Sequence, residues 1–236
     1  MQAGTVVGNL ASAIGVTTEE AALVADLKAG SEDAFAILIA QYHQPLYSLI
    51  ARSLSDPADA ADTTQEVFIK VFRSIRGFHG ESSLRTWLYR IAVHEASNQR
   101  RWWMRHKKQE MTIDSPAESS ESGDDGLSLA ATLADRGDSP FDCAAQAELR
   151  LQVEDALRQV PEAFRTVVVL REIEGFAYEE IAEILNVNIG TVKSRLTRGR
   201  SALRALLVAA EKNSASFRAP APSNLQSRRR LETVTK

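Results

Sequence analysis

From Ile189 to Arg204 the chain reads IGTVKSRLTRGRSALR, in which Lys193, Arg195, Arg198, Arg200 and Arg204 carry positive charge and no residue is acidic. Hydroxyl side chains alternate with these cations at Thr191, Ser194, Thr197 and Ser201. Cations neutralise phosphates, and an arginine offers two donors in the geometry of a guanine edge. At helical spacing Val192, Leu196, Gly199 and Leu203 share one side, while Gly190, Ser194, Thr197, Arg198 and Ser201 share the other. One face can therefore pack while the opposite face enters a major groove. The element before it supplies the packing partner. Tyr178, Ile181, Ala182 and Leu185 recur at i, i+3, i+4 and i+7, then Asn186, Val187 and Asn188 break the pattern. Asn188 is placed to cap the basic helix. Helix, turn and charge sorting together predict a helix-turn-helix rather than an amphipathic helix with a solvated basic face.

A second segment with nucleic-acid chemistry lies upstream. Residues 77–103, GFHGESSLRTWLYRIAVHEASNQRRWW, combine a glycine-containing loop, aromatic rings and cations. Any base has a face that an aromatic ring can stack on, and its phosphate needs a counter-charge, so this mixture suits an unstacked strand. Trp87 shares a face with Leu84 and Ile91, which predicts a core position for it. Phe78, at the loop edge, fits either base stacking or packing.

The elements that must hold these residues are helical. The 236-residue chain is 44% hydrophobic and 6% aromatic, with almost no period-2 alternation. Length alone allows one large or two small domains. Thr18-Glu19-Glu20 and Ser31-Glu32-Asp33 read as helix starts, with Gly30 as a stop between them. Phe35, Leu38, Ile39 and Tyr42 form a stripe that Leu46, Leu49 and Ile50 continue, and Pro45 inside it should kink or split the helix. Asp56-Pro57 opens the next helix, with Thr64, Val67, Phe68, Val71, Phe72 and Ile75 on one face. Leu84, Trp87, Leu88, Ile91 and Ala92 mark another. After it, residues 110–139 are rich in Ser, Gly, Asp and Glu, with Arg136 the one basic residue, a composition that buries too little apolar surface to fold. Helical pattern returns at Leu149, Val153, Ala156, Leu157 and Val160, and Pro161 opens a further helix with Gly175 as its stop.

The expected architecture is all-α: two small helical domains joined by a flexible acidic linker, the second a helix-turn-helix domain. The boundaries are a loose leader at 1–17, a first domain at 18–109, a linker at 110–145, a second domain at 146–211 and a basic disordered tail at 212–236. Formal net charge is −3, so bulk charge says little, whereas the segregation of basic and acidic stretches points to nucleic acid. The single cysteine, Cys143, cannot form an internal disulfide, no Cys/His cluster has metal spacing, and no secretory signal or membrane-length apolar run is visible. These features predict a cytoplasmic protein without metal or cofactor.

QEVFIKVFRSIRGF followed by SSLRTWLYRIAVHEASNQRR resembles the second conserved domain of bacterial sigma-70 family factors. LRQVPEAFRTVVVLREIEGFAYEEIAEILNVNIGTVKSRLTRGRSALR resembles their fourth domain. With only a short linker between the two, the chain is similar to the extracytoplasmic-function (ECF) group, over roughly residues 25–210. The resemblance implies a factor that binds core RNA polymerase through its clamp helices and flap, directs it to promoters and opens the DNA. It implies core docking by Asp62, Gln65, Glu66, Lys70 and Arg73, residues that pattern alone would leave as a solvated helix face. It implies contact with the −10 element by Lys70, Ser74, Phe78, Ile91, His94 and Asn98. For the −35 element it implies groove reading by Lys193, Ser194, Thr197 and Arg198. Thr191, Arg195 and Arg200 suit phosphates. Members commonly have asparagine where this chain has His94, which puts the −10 base preference in question because an imidazole offers a different donor and acceptor set. An anti-sigma factor is the further partner implied.

Two other classes compete. An operator-binding dimeric regulator would explain residues 178–203 and leave the segment around Trp87 without a purpose. A nucleic-acid enzyme finds no support, since the acidic residues gather in the linker and no paired carboxylates or phosphate-binding glycine loop occur. The expectation is no catalysis and no small-molecule substrate.

Overall fold

The structure, a computed structural model, describes residues 18–54, 56–110 and 140–218. The leader, the acidic stretch from 111 to 139, the side chain of Cys143 and the tail beyond 218 lie outside the described residues. Among the described residues every regular element is helical: α1 (Thr18–Ala29), α2 (Glu32–Ala51), α3 (Pro57–Ser74) with a short 3₁₀ turn after it, α4 (Leu84–Glu110), α5 (Pro140–Gln159), α6 (Glu162–Val168), α7 (Tyr178–Leu185) and α8 (Ile189–Arg218).

Local chemistry explains most boundaries. Ser31 accepts a hydrogen bond from the Ala34 amide at 3.3 Å, and Asp56 accepts one from Ala58 at 2.8 Å with Pro57 in the first turn. Ser83 accepts from the Thr86 amide at 3.0 Å, and Glu20 of α1 accepts from the Leu84 amide at 2.5 Å. The start of α4 is thus tied to the opposite end of its own domain. Gly30 and Gly175 stop their helices at φ +83° and +75°, a backbone region that disfavours a side chain. The helix-turn-helix follows its expected punctuation. Glu180 reaches back to the Ala177 amide at 2.8 Å, Asn186 turns left-handed at φ 50°, and Asn188 accepts from the Thr191 amide at 2.7 Å.

In the first domain α3 packs on α4 and α2, and α2 also meets α4. Leu38, Leu46, Leu49, Ile50, Val67, Val71, Leu84 and Leu88 fill the centre. In the second domain α8 lies against α5, α6 and α7, with Val167, Leu170, Ile181, Val192 and Leu196 buried between them. α6 runs on into a π-helical turn, Val169–Ile173.

Three expectations need correction. Pro45 does not split α2, which runs unbroken from Glu32 to Ala51; Leu46, Leu49 and Ile50 are buried directly after it, and this packing offsets the one hydrogen bond that proline removes. Phe72 is 61% exposed, its ring tilted against Phe35 at 4.9 Å between ring centres. The stripe on α3 is therefore narrower than its apolar residues suggested. The helix whose pattern reads from Leu149 onward starts earlier, at Pro140.

The two domains also meet, which no sequence pattern announced. α4 packs on α7. Tyr89 and Phe176 stack edge to face at 4.7 Å, with the Arg85 guanidinium 4.1 Å from the centre of the Phe176 ring. The Tyr89 hydroxyl donates to Glu174, Arg90 pairs with Glu183, and Arg100 pairs with Glu162. Arg52 holds Glu154 through both Nε and Nη2, the latter at 2.7 Å from Oε1, and Arg165 donates to the Arg52 carbonyl at 2.6 Å. Burial lowers the pKa of Arg100 and of Arg165, with a nearby arginine adding to each shift.

Candidate nucleic-acid interface

The basic helix α8 is seated by its apolar side. Val192 and Leu196 are buried, and Gly199 lies so close to α6 that an added Cβ would stand 2.6 Å from Val168 Cγ2 and 3.1 Å from the Phe164 carbonyl oxygen. Only a residue without a side chain lets the two backbones approach in this way. The opposite face is open. Lys193, Ser194, Thr197, Arg198 and Arg200 are exposed, while Thr191 and Arg195 are half-buried.

The hydroxyls on this face have defined polarity. Ser194 donates to the Thr191 carbonyl at 3.0 Å and Thr197 donates to the Lys193 carbonyl at 3.0 Å. With their protons directed into the helix, both oxygens turn lone pairs outward, which suits the amino group of cytosine or adenine. Arg198 makes no hydrogen bond or ion pair among the described residues. Arg200 differs: it holds Glu172 through Nε at 3.0 Å and Nη2 at 2.5 Å. That hydrogen bond and charge raise the Arg200 pKa. A partner already occupies this cation, which makes it a tether between α8 and the π-helical turn.

On the first domain, α4 carries a polar stripe of His94, Asn98, Arg101 and Arg105, all on one face. The residues are linked. Arg101 Nη2 donates to Asn98 Oδ1 at 2.7 Å, which orients the amide so that its Nδ2 lies 3.1 Å from His94 Nδ1. Lys70 reaches across from α3 and ion-pairs with Glu95 at 2.5 Å. Glu95 is also 3.2 Å from His94 Nδ1. Burial pushes the Glu95 carboxyl up, but the hydrogen bonds from Lys70 and His94 outweigh it and hold the group below the usual carboxylate range.

The structure thus brings Lys70, His94 and Asn98 into one network, with Ser74 exposed one turn beyond Lys70, donating to its carbonyl at 2.6 Å. Ile91 is half-buried beside the same stripe. Phe78 is not part of the surface. It is 6% exposed and packs on Trp87 at 5.2 Å, so its ring belongs to the core beneath the loop and stacks on no base as it stands. Packing wins over presentation: the Phe78 amide closes the 3₁₀ turn on the Ile75 carbonyl, and the ring that follows is buried against Trp87. Trp87 is half-buried against that core, as its pattern indicated.

Asp62, Gln65, Glu66 and Arg73 line the outer face of α3 and are exposed. Asp62 and Glu66 border an open groove completed by Trp102, Met104 and Arg105 of α4. Trp102 is 45% exposed and stacks on His106 at 4.1 Å. Sequence reasoning passed over Trp102, Met104 and Glu95. The doubled tryptophan following two arginines was a visible signal for the first; nothing local marked Glu95, whose partner Lys70 sits on a different helix.

Among the described residues no group of His, Cys, Asp and Glu could hold a metal ion, and no helix is long and apolar enough to cross a membrane.

Comparison with known proteins agrees with this geometry. Residues 38–105 match the family model of sigma-70 region 2, and residues 150–203 match that of sigma-70 region 4. The ECF RNA polymerase sigma-E factor of Haemophilus influenzae is 39% identical over 179 residues, covering 76% of this chain and 90% of that protein. The ECF RNA polymerase sigma factor SigW of Bacillus subtilis is 34% identical over 181 residues, covering 77% and 92%. Among solved structures, the sigma factor RpoE of Bartonella quintana, in complex with the anti-sigma factor NepR, shares the fold with a TM-score of 0.55 at 24% identity, over 73% of this chain and 96% of that one. These relatives are named as sigma factors. With both conserved regions present in order and relatives matched over nearly their whole length, the chain belongs to the ECF group of sigma-70 family RNA polymerase sigma factors.

Proposed function

We propose that the first domain reads and holds the opened −10 element through the Lys70, His94 and Asn98 surface with Ser74 and Ile91 beside it, while α8 reads the −35 element. The observation that carries this reading is the pair of solvent-facing, cation-bearing helix faces, on α4 and α8, each backed by a packed core. Lys193, Ser194, Thr197 and Arg198 face the groove, and Thr191, Arg195 and Arg200 lie towards the phosphates. Taking a base out of the duplex costs a few kcal/mol, so the α4 surface must return hydrogen bonds and charge neutralisation. Core polymerase docks on Asp62, Gln65, Glu66, Lys70 and Arg73, with Trp102 adding an apolar contact in the same groove. The protein works in the cytoplasm, where promoter DNA and polymerase are found, and a partner protein of the anti-sigma class covers these docking surfaces when transcription is off.

Run-off transcription by core polymerase, with and without the protein, tests the proposal on promoters with a GGAAC-type −35 element and varied −10 bases. Transcripts that require the protein are expected. Absence of both transcripts and core binding would refute it and favour an operator-binding regulator. Arg198→Ala should cost about 1–3 kcal/mol of discrimination at one −35 position. Arg200→Ala should lower affinity on all sequences alike; equal promoter profiles for Arg198→Ala and the parent would refute the assignment.

A further inference from the structure

The α4 surface contains an acid where a DNA-facing patch has no electrostatic use for one. Glu95 directly follows His94, and a free carboxylate there would repel phosphate. It is not free. Its side chain is only 12% exposed and lies among Lys70, His94 and Asn98, while the His94 side chain beside it is 68% exposed. Lys70 comes from α3 and the others from α4, so this one carboxylate joins two helices at the centre of the surface.

We propose that Glu95 is the positioning residue of the −10 reading surface, fixing which atom of His94 the DNA meets and holding Lys70 at that surface through an ion pair that competes with phosphate. The inference rests on the −10 role of His94 proposed above. Arg101 fixes the Asn98 amide, so two groups compete for His94 Nδ1: the Asn98 amino group at 3.1 Å and the Glu95 carboxylate at 3.2 Å. If Nδ1 carried no proton, its lone pair would face a carboxylate oxygen. If it carries the proton, it donates to that oxygen, and the Asn98 amino group turns to the same oxygen at 3.5 Å. A full negative charge outweighs the dipole of an amide, so the proton sits on Nδ1. Nε2 makes no hydrogen bond among the described residues and points its lone pair outward. With the proton on Nδ1, Nε2 is the acceptor, matched to an exocyclic amino group of adenine or cytosine rather than to a carbonyl oxygen.

Glu95 also sets the charge balance. Its ion pair with Lys70 at 2.5 Å leaves that ammonium engaged within the protein. Substituting Glu95→Gln keeps the shape and removes the charge. Nδ1 then accepts from the amides around it, Nε2 becomes a donor, and Lys70 is released to bind a phosphate. Two changes are expected together: a reversed base ranking and steeper salt dependence. One additional phosphate contact on a single strand steepens the slope of log K against log salt by about 0.7. A role confined to stability would produce neither, since it would weaken binding to every base alike.

The test uses the full chain bound to core polymerase and fluorescent fork-junction DNA carrying each of the four bases at the position His94 reads. Affinity is measured across a potassium chloride series for the parent, Glu95→Gln and His94→Ala. For Glu95→Gln we expect the preference to move from amino-bearing towards carbonyl-bearing bases by about tenfold, the scale of one hydrogen bond near 1.4 kcal/mol, with the steeper salt slope. If His94→Ala alters the ranking while Glu95→Gln retains the parent's ranking and slope, the inference about Glu95 fails and the −10 reading stands. If His94→Ala also leaves the ranking unchanged, the −10 reading of this surface fails, and the inference with it. Thermal melting of Glu95→Gln near the parent's midpoint shows that the fold is intact.

Discussion

Gly199 offers a quantitative test of how α8 is held. A methyl group there would stand 2.6 Å from Val168 Cγ2, against a favourable carbon–carbon separation of about 3.5–4.0 Å. The overlap is therefore about 1 Å, and neither neighbour yields easily. Val168 is buried on a helix, where a branched side chain has one strongly preferred rotamer, and the second contact, at 3.1 Å, is to a backbone oxygen. Overpacking of this kind costs about 1–3 kcal/mol, while alanine gains about 1 kcal/mol over glycine in a helix interior. Gly199→Ala should accordingly destabilise by about 1 kcal/mol net, a fall of roughly 2–4 °C in the melting midpoint. Val168→Ala alone should cost about 1.5–2.5 kcal/mol for lost burial and the cavity left behind. The double variant should cost little more than Val168→Ala, because the clash has lost its partner, giving a coupling of about 0.5–1 kcal/mol by urea denaturation. A Gly199→Ala protein as stable as the parent, or strict additivity with Val168→Ala, would refute the close-approach argument.

Three further outcomes follow from the geometry. Asn188→Ala removes the acceptor for the Thr191 amide and should cost about 1 kcal/mol, visible as fraying of the start of α8 in hydrogen exchange. Tyr89→Phe deletes the hydroxyl that donates to Glu174 across the domain contact and should cost about 1–2 kcal/mol in urea, with the midpoint unchanged if that bond is unimportant. Glu95 has a depressed pKa in the fold, so its contribution to stability is present above the unfolded carboxyl value and is lost as pH falls through the folded one. Glu95→Gln should therefore flatten the acid limb of stability against pH, and identical acid limbs for the two proteins would contradict the pairing with Lys70.

Much of the candidate site was legible from local pattern. The turn at Asn186-Val187-Asn188, the buried side of α8 and its exposed hydroxyls all depend on residues within a few positions of one another, and periodicity captures such relations. Phe78 shows where this stops. Its type and loop position fitted a stacking ring, and only the packing of that ring against Trp87 in the folded core decided that it turns inward. Pro45 erred in the other direction, because a local rule about proline was overridden by burial of the residues that follow.

The sequence by itself determined an all-helical chain, a helix-turn-helix with a basic outer face, and family membership, because these rest on short-range periodicity and on motifs that keep their order. Tertiary structure alone decided that Lys70, on α3, would neutralise Glu95, on α4, and that Arg52, Arg90 and Arg100 of the first domain would find acidic partners in the second. Charge pairing between distant residues depends on which helix faces meet, and that choice comes from the burial of apolar side chains throughout the fold rather than from the charged residues themselves.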